Sequence, residues 1–90
     1  MGETWLFRDP PDLAVVTTTQ ILDGGQPILL VSHELDDGGW QFLDGGIPEM
    51  EDVRVVSLYR ILMLDPTIRS VASLSQGEQA WRKSLSEPWQ

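Results

Sequence analysis

Ile28-Leu29-Leu30-Val31-Ser32-His33-Glu34-Leu35-Asp36-Asp37-Gly38-Gly39-Trp40-Gln41-Phe42-Leu43 is the segment on which the architecture turns. Ile28 to Val31 is apolar at every position, the pattern of a central strand buried on both faces. It runs on through Ser32 and His33 to Asp36-Asp37-Gly38-Gly39. Asp and Gly tolerate positive φ, so this cluster predicts a hairpin. On the return strand, Trp40 to Leu43, period-two alternation puts Trp40 and Phe42 on one face and Gln41 on the other. Asp44-Gly45-Gly46 closes the unit.

Downstream, Ile47 to Asp52 reads as an acidic loop with one helical turn, and Val53 to Val56 as the next strand. Ser57 is placed to cap a helix from Leu58 to about Leu64, with Leu58, Ile61 and Leu62 as its buried stripe. Pro66 stops it. Ile68 to Leu74 is irregular or a single turn. Gln79 to Ser84 reads as a final edge strand, Ala80 and Arg82 facing one way and Trp81 and Lys83 the other. A helix over Glu78 to Leu85 is the alternative.

Upstream, Thr4 to Phe7 is a short edge strand, broken by Asp9-Pro10-Pro11-Asp12, where neither proline can donate a hydrogen bond. Leu13 to Val16 is a strand. Thr17-Thr18-Thr19-Gln20 has capping-box spacing, with Thr17 as N-cap. Ile21 and Leu22 then face the core, and Gly24-Gly25 ends the turn. Val15-Val16-Thr17 before Ile21-Leu22 is echoed forty residues later by Val55-Val56-Ser57 before Ile61-Leu62. These elements predict an α+β fold, a mainly antiparallel sheet of four or five strands with two short helices on one face. A strand–helix–strand crossover can add one parallel pair. Ninety residues form a single domain, 1–90, with residues 85–90 as a flexible or docking tail.

Composition narrows the function. A domain this small buries only about 60–65% of the surface its unfolded chain exposes. No cysteine is present to cross-link it. Its apolar side chains, 41% of the total, are therefore needed for the core, which leaves few for a deep catalytic pocket. The absent thiols exclude thiolate zinc sites, iron–sulfur clusters and a cysteine nucleophile. No metal or other cofactor is expected. The start, Met1-Gly2-Glu3-Thr4-Trp5, lacks the basic and apolar regions of a signal peptide, and Leu6 stands where myristoylation wants Ser or Thr. The expected location is cytoplasmic.

Fourteen acidic residues against six basic give a formal net charge of −8. Between Arg8 and Arg54 lie ten carboxylates and no Lys or Arg. Nucleic-acid binding needs cations that displace condensed counterions, and an anionic membrane would repel this surface. A basic protein would be attracted and its encounter accelerated. The candidate contact residues are Glu34, Asp36, Asp37, Asp44, Glu51 and Asp52 in the acidic hairpin and loop. The same charge also serves solubility alone. A monomer or a weak homodimer through an edge strand is expected.

His33 is the only histidine, so every imidazole-based scheme must use it. Ser32 and His33 are adjacent in a strand and point to opposite faces, which works against a Ser-His-Asp arrangement with Asp36. Asp36 and Asp37 as an acid–base pair would sit at a turn tip, without the desolvation that separates two carboxyl pKa values. The hairpin also departs from the calcium-loop pattern, with Gly38 at position three and no Glu at position twelve. The glycine pairs match no phosphate-binding motif. Trp40 and Trp81 are expected in the core or covering a sheet face. Trp5 and Trp89 are expected to be partly exposed, a weak sign of an interaction surface.

Asp9-Pro10-Pro11, Asp36-Asp37-Gly38-Gly39-Trp40-Gln41-Phe42-Leu43-Asp44-Gly45, Val55-Val56-Ser57-Leu58, Asp65-Pro66-Thr67-Ile68 and Pro88-Trp89 resemble, in that order, short stand-alone bacterial proteins of unknown function. More distantly, through Gly39-Trp40-Gln41-Phe42 and Asp65-Pro66-Thr67-Ile68, the chain resembles a domain grouped with the immunity proteins of polymorphic toxin systems. The resemblance spans most of the chain but its motifs are structural, and no catalytic residue comes with it. It implies a non-enzymatic protein-binding module of immunity type. The alternatives are a housekeeping protein without a toxin partner and a small hydrolase built on His33 with Asp36 or Asp37.

Overall fold

The computed structural model describes residues 7–90. Five strands form one sheet: β1 (Ala14–Thr18), β2 (Leu30–His33), β3 (Trp40–Leu43), β4 (Val53–Ser57) and β5 (Gln79–Trp81). Their order across the sheet is β4-β1-β3-β2-β5. The pairing of β1 with β3 is parallel, and all others are antiparallel. Two helices, α1 (Thr19–Leu22) and α2 (Leu58–Leu64), are joined by 3-10 segments at Met50–Asp52 and Pro66–Val71. The fold is α+β. The expected strand over Thr4–Phe7 lies outside the described residues except for Phe7, which is buried and in no strand.

The hairpin forms as its turn chemistry requires. His33 pairs with Trp40, the Glu34 amide donates to the Gly39 carbonyl, and Gly38 takes the positive φ (72°) that the turn demands. The strand predicted over Ile28–Val31 is shifted to Leu30–His33 and lies second from one edge, with β3 at the centre. Ile28 nevertheless stays in the core.

Alternation and register divide the sheet into two faces. Val15, Thr17, Val31, Trp40, Phe42 and Ala80 share one of them, and all are buried. Ile21 of α1, Leu58 and Ile61 of α2, and Ile68 and Val71 of the second 3-10 segment complete this core with Phe7 and Ile28. Leu62 packs against it, whereas Leu22 is half-buried and outside it.

Ser57 caps α2 as its hydroxyl predicts, accepting from the Arg60 amide at 3.1 Å. Ser57→Ala is expected to cost about 1 kcal/mol in urea unfolding, while Ser57→Asp holds wild-type stability. Thr17 does not cap α1. The helix begins at Thr19, its N-cap Thr18 makes no side-chain cap bond, and the Thr17 hydroxyl donates to the Phe42 carbonyl at 2.8 Å. Gln20 bonds Asp52 instead of reaching back to a cap. The echo explains the error. With the caps superposed, Thr18 on Ser57, the repeat is thirty-nine residues and not forty. Only then do Thr17 and Val56 both belong to the core face, and Val16 and Val55 both to the other.

The C-terminal region also departs from expectation. The final strand is only Gln79–Trp81, and no helix forms there. Trp81 is half exposed, whereas Arg82 is buried. The Arg82 guanidinium pairs with Asp65 (Nη2 to Oδ2, 2.7 Å) and donates to Thr67 Oγ1 (2.9 Å) and to the Ile28 carbonyl (3.0 Å). The Trp89 ring lies 4.2 Å from its Cζ, and the Gln90 amide donates to the Trp81 carbonyl. Residues 85–90 therefore include a docked segment. Asp65 at the same time caps the second 3-10 segment through the Thr67 amide, with Pro66 at its first turn.

Candidate functional site

The second face of the sheet carries two cross-strand rows. Val53, Thr18, Leu43, Leu30 and Trp81 form one, and Val55, Val16, Gln41, Ser32 and Gln79 form the other. None of these ten belongs to the core cluster, whose helical members pack on the opposite side. Thr18, Ser32 and Leu43 are buried in the middle, and Val16, Leu30 and Val53 are half-buried. The two rims are open, with Val55 65% exposed and Trp81 49% exposed.

The topology separates the six candidate acids into two groups. Glu34, Asp36 and Asp37 lie where β2 ends and β3 begins. Asp44, Glu51 and Asp52 lie at the opposite end, where β3 finishes and β4 starts. Four-residue strands hold the two groups roughly 10–15 Å apart. Four of the six accept from neutral donors. Glu34 accepts from the Ser32 hydroxyl, Asp37 from the Gly39 amide, Asp44 from the Gly46 amide and Asp52 from Gln20 Nε2. None of the six is ion-paired among the described residues. Arg54, the cation next in sequence, directs Nη1 to the carbonyls of Glu51 and Val53. Between Asp44 and Glu51 the loop also projects Ile47 and Met50, 96% and 88% exposed.

His33 lies on the core side of the sheet, its ring stacked on Trp40 at 3.9 Å. Nδ1 is 2.8 Å from the Leu74 carbonyl oxygen and Nε2 is 3.2 Å from that of Gly38. A neutral imidazole donates through one nitrogen and an imidazolium through both. In either form the ring faces main-chain oxygens and not Asp36, Asp37 or a hydroxyl, and it ties the hairpin turn to the loop after the second 3-10 segment. Ser32 points to the other face, as alternation predicts.

A cleft of about 220 Å³ is lined by Ile21, Gln26, Pro27, Ile28, Leu64, Asp65 and Leu85. It contains no histidine, and its one carboxylate is held by Arg82 and Thr67. Among the described residues no three metal-ligating side chains converge, and no helix is long and apolar enough to cross a membrane.

Trp81 lies on a sheet face, as expected, while the exposure of Val55, Ile47 and Met50 carries no signal in the sequence. Alternation across Gln79–Trp81 sets Trp81 opposite Ala80 and Arg82, and both of these are buried. Comparison with protein-family models, curated proteins and solved structures finds no match to this chain.

Proposed function

We propose that this chain is a non-enzymatic protein-binding module that engages a basic partner. One observation carries the reading: of six carboxylates at the two ends of the sheet, four accept only from neutral donors, and none has a cation opposite it among the described residues. Their field is therefore directed outward, where it accelerates encounter with a cationic surface and contributes ion pairs at the interface rim. The placement of both His33 nitrogens against main-chain carbonyl oxygens, away from Asp36 and Asp37, supports the non-catalytic part. The resemblance of Gly39-Trp40-Gln41-Phe42 and Asp65-Pro66-Thr67-Ile68 to immunity-type proteins supports a more specific form, in which the module masks a basic toxin.

The test is co-purification from the native host with identification by mass spectrometry. A single basic partner is expected, captured at 50 mM salt, released by 500 mM, and lost when all six acids are changed to their amides. Salt-insensitive capture, or capture unchanged in the amide variant, overturns the reading.

A further inference from the structure

We infer that the open sheet face is a docking platform for a basic amphipathic segment of the partner. Its apolar stripe lies over Val55, Val16, Leu30 and Trp81, and its cations reach the carboxylates at both strand ends. This rests on the reading of the chain as a binder of basic proteins, and it names the surface that does the binding.

Three observations select this occupant. The first is patterning: one face of the sheet already holds the core, yet the other presents Val55 and Trp81 exposed at its rims, with Val53, Val16 and Leu30 half-buried between them. An antiparallel sheet with one wet face ordinarily alternates apolar with polar residues, and an apolar second face marks a contact surface. The second is charge. Glu34, Asp36 and Asp37 flank one end of the face, and Asp44, Glu51 and Asp52 the other. A second copy, also carrying −8, would bring like charges together at both ends.

The third is size. Five strands spaced about 4.8 Å apart and four residues long give a face of roughly 15 by 20 Å, about 300 Å². A stable globular interface uses about 800 Å² per partner, so the face is too small for one. It suits one helix about 10 Å across, whose flanking side chains can reach both acidic ends.

The probe is an 18-residue Leu/Lys amphipathic helix. Two peptides of equal length serve as controls: Leu/Glu with the same apolar stripe, and Lys/Ser with the same charge and no stripe. Titration by fluorescence anisotropy at 50 mM salt is expected to show binding of Leu/Lys, none of Leu/Glu, and at least tenfold weaker binding of Lys/Ser. Val55→Ser with Trp81→Ser, at two exposed positions, is expected to weaken Leu/Lys at least tenfold and leave Lys/Ser unchanged. Val55→Ser alone, with a thermal melt matching wild type, gives the same test with a smaller change.

Equal binding of both cationic peptides, unmoved by the serine variants, sinks this surface while leaving the acidic module intact. Binding of neither cationic peptide sinks both. Concentration-dependent self-association that the serine variants abolish assigns the face to a second copy and overturns the proposal.

Discussion

Asp65→Asn is expected to lower the unfolding free energy by about 3 kcal/mol, at the lower end of the range for breaking a buried ion pair. A 90-residue domain has roughly 5–13 kcal/mol in total, so this is a large fraction. Asn keeps the capping geometry at the start of Pro66–Val71, so the loss isolates the charge. The guanidinium left behind is at 2% side-chain exposure and cannot reach water, whereas the carboxylate, at 13%, can. Arg82→Met, which retains an apolar stem, is therefore expected to be the milder change. The double variant is expected to be less destabilised than the sum of the two by more than 1 kcal/mol. Urea unfolding of the four proteins completes the cycle. Additive losses within about 0.5 kcal/mol would show that the pair is not coupled.

Trp40→Ala is expected to cost about 3–5 kcal/mol, because the buried indole leaves a cavity that its neighbours cannot close. Phe7 meets its edge at 5.2 Å, His33 stacks at 3.9 Å, and Phe42 lies parallel at 6.1 Å. Its Nε1 donates to Asp9 at 2.8 Å, tying the segment before β1 to the central strand. Trp40→Phe keeps most of the ring and loses that bond, for a smaller cost of about 1–2 kcal/mol. Thermal and urea unfolding measure both. A loss under 1 kcal/mol for Trp40→Ala would show that the site collapses around the missing ring and that the stack on His33 adds little.

The parts of this fold legible in the sequence are those governed by local chemistry. Asp-Gly turn preference placed the hairpin, the Ser57 hydroxyl placed the start of α2, and Pro66 placed its end. Alternation put Trp40 and Phe42 on the buried face. The parts that were not legible depend on partners distant in the chain. Thr17 and Thr18 are indistinguishable as caps until β3 lies beside β1 and takes the Thr17 hydroxyl. The partners that let Arg82 be buried, Ile28, Asp65 and Thr67, come together only in the fold. The acids that read as one hairpin-and-loop surface are separated by the direction of β3, which carries Asp44 to the far end from Asp37. The open face was hidden for the same reason: which apolar face of a strand stays wet depends on which one the helices cover.

The neighbour of Arg82 in the chain is Trp81, at one rim of the exposed face. The guanidinium is fastened on the reverse side of the sheet to Ile28 and to the turn at Asp65 and Thr67, and the Gln90 amide holds the Trp81 carbonyl. The main chain beneath the indole is thus immobilised when the protein folds. A ligand meeting that rim finds the backbone preorganised, and much of the ordering entropy has been lost before association begins.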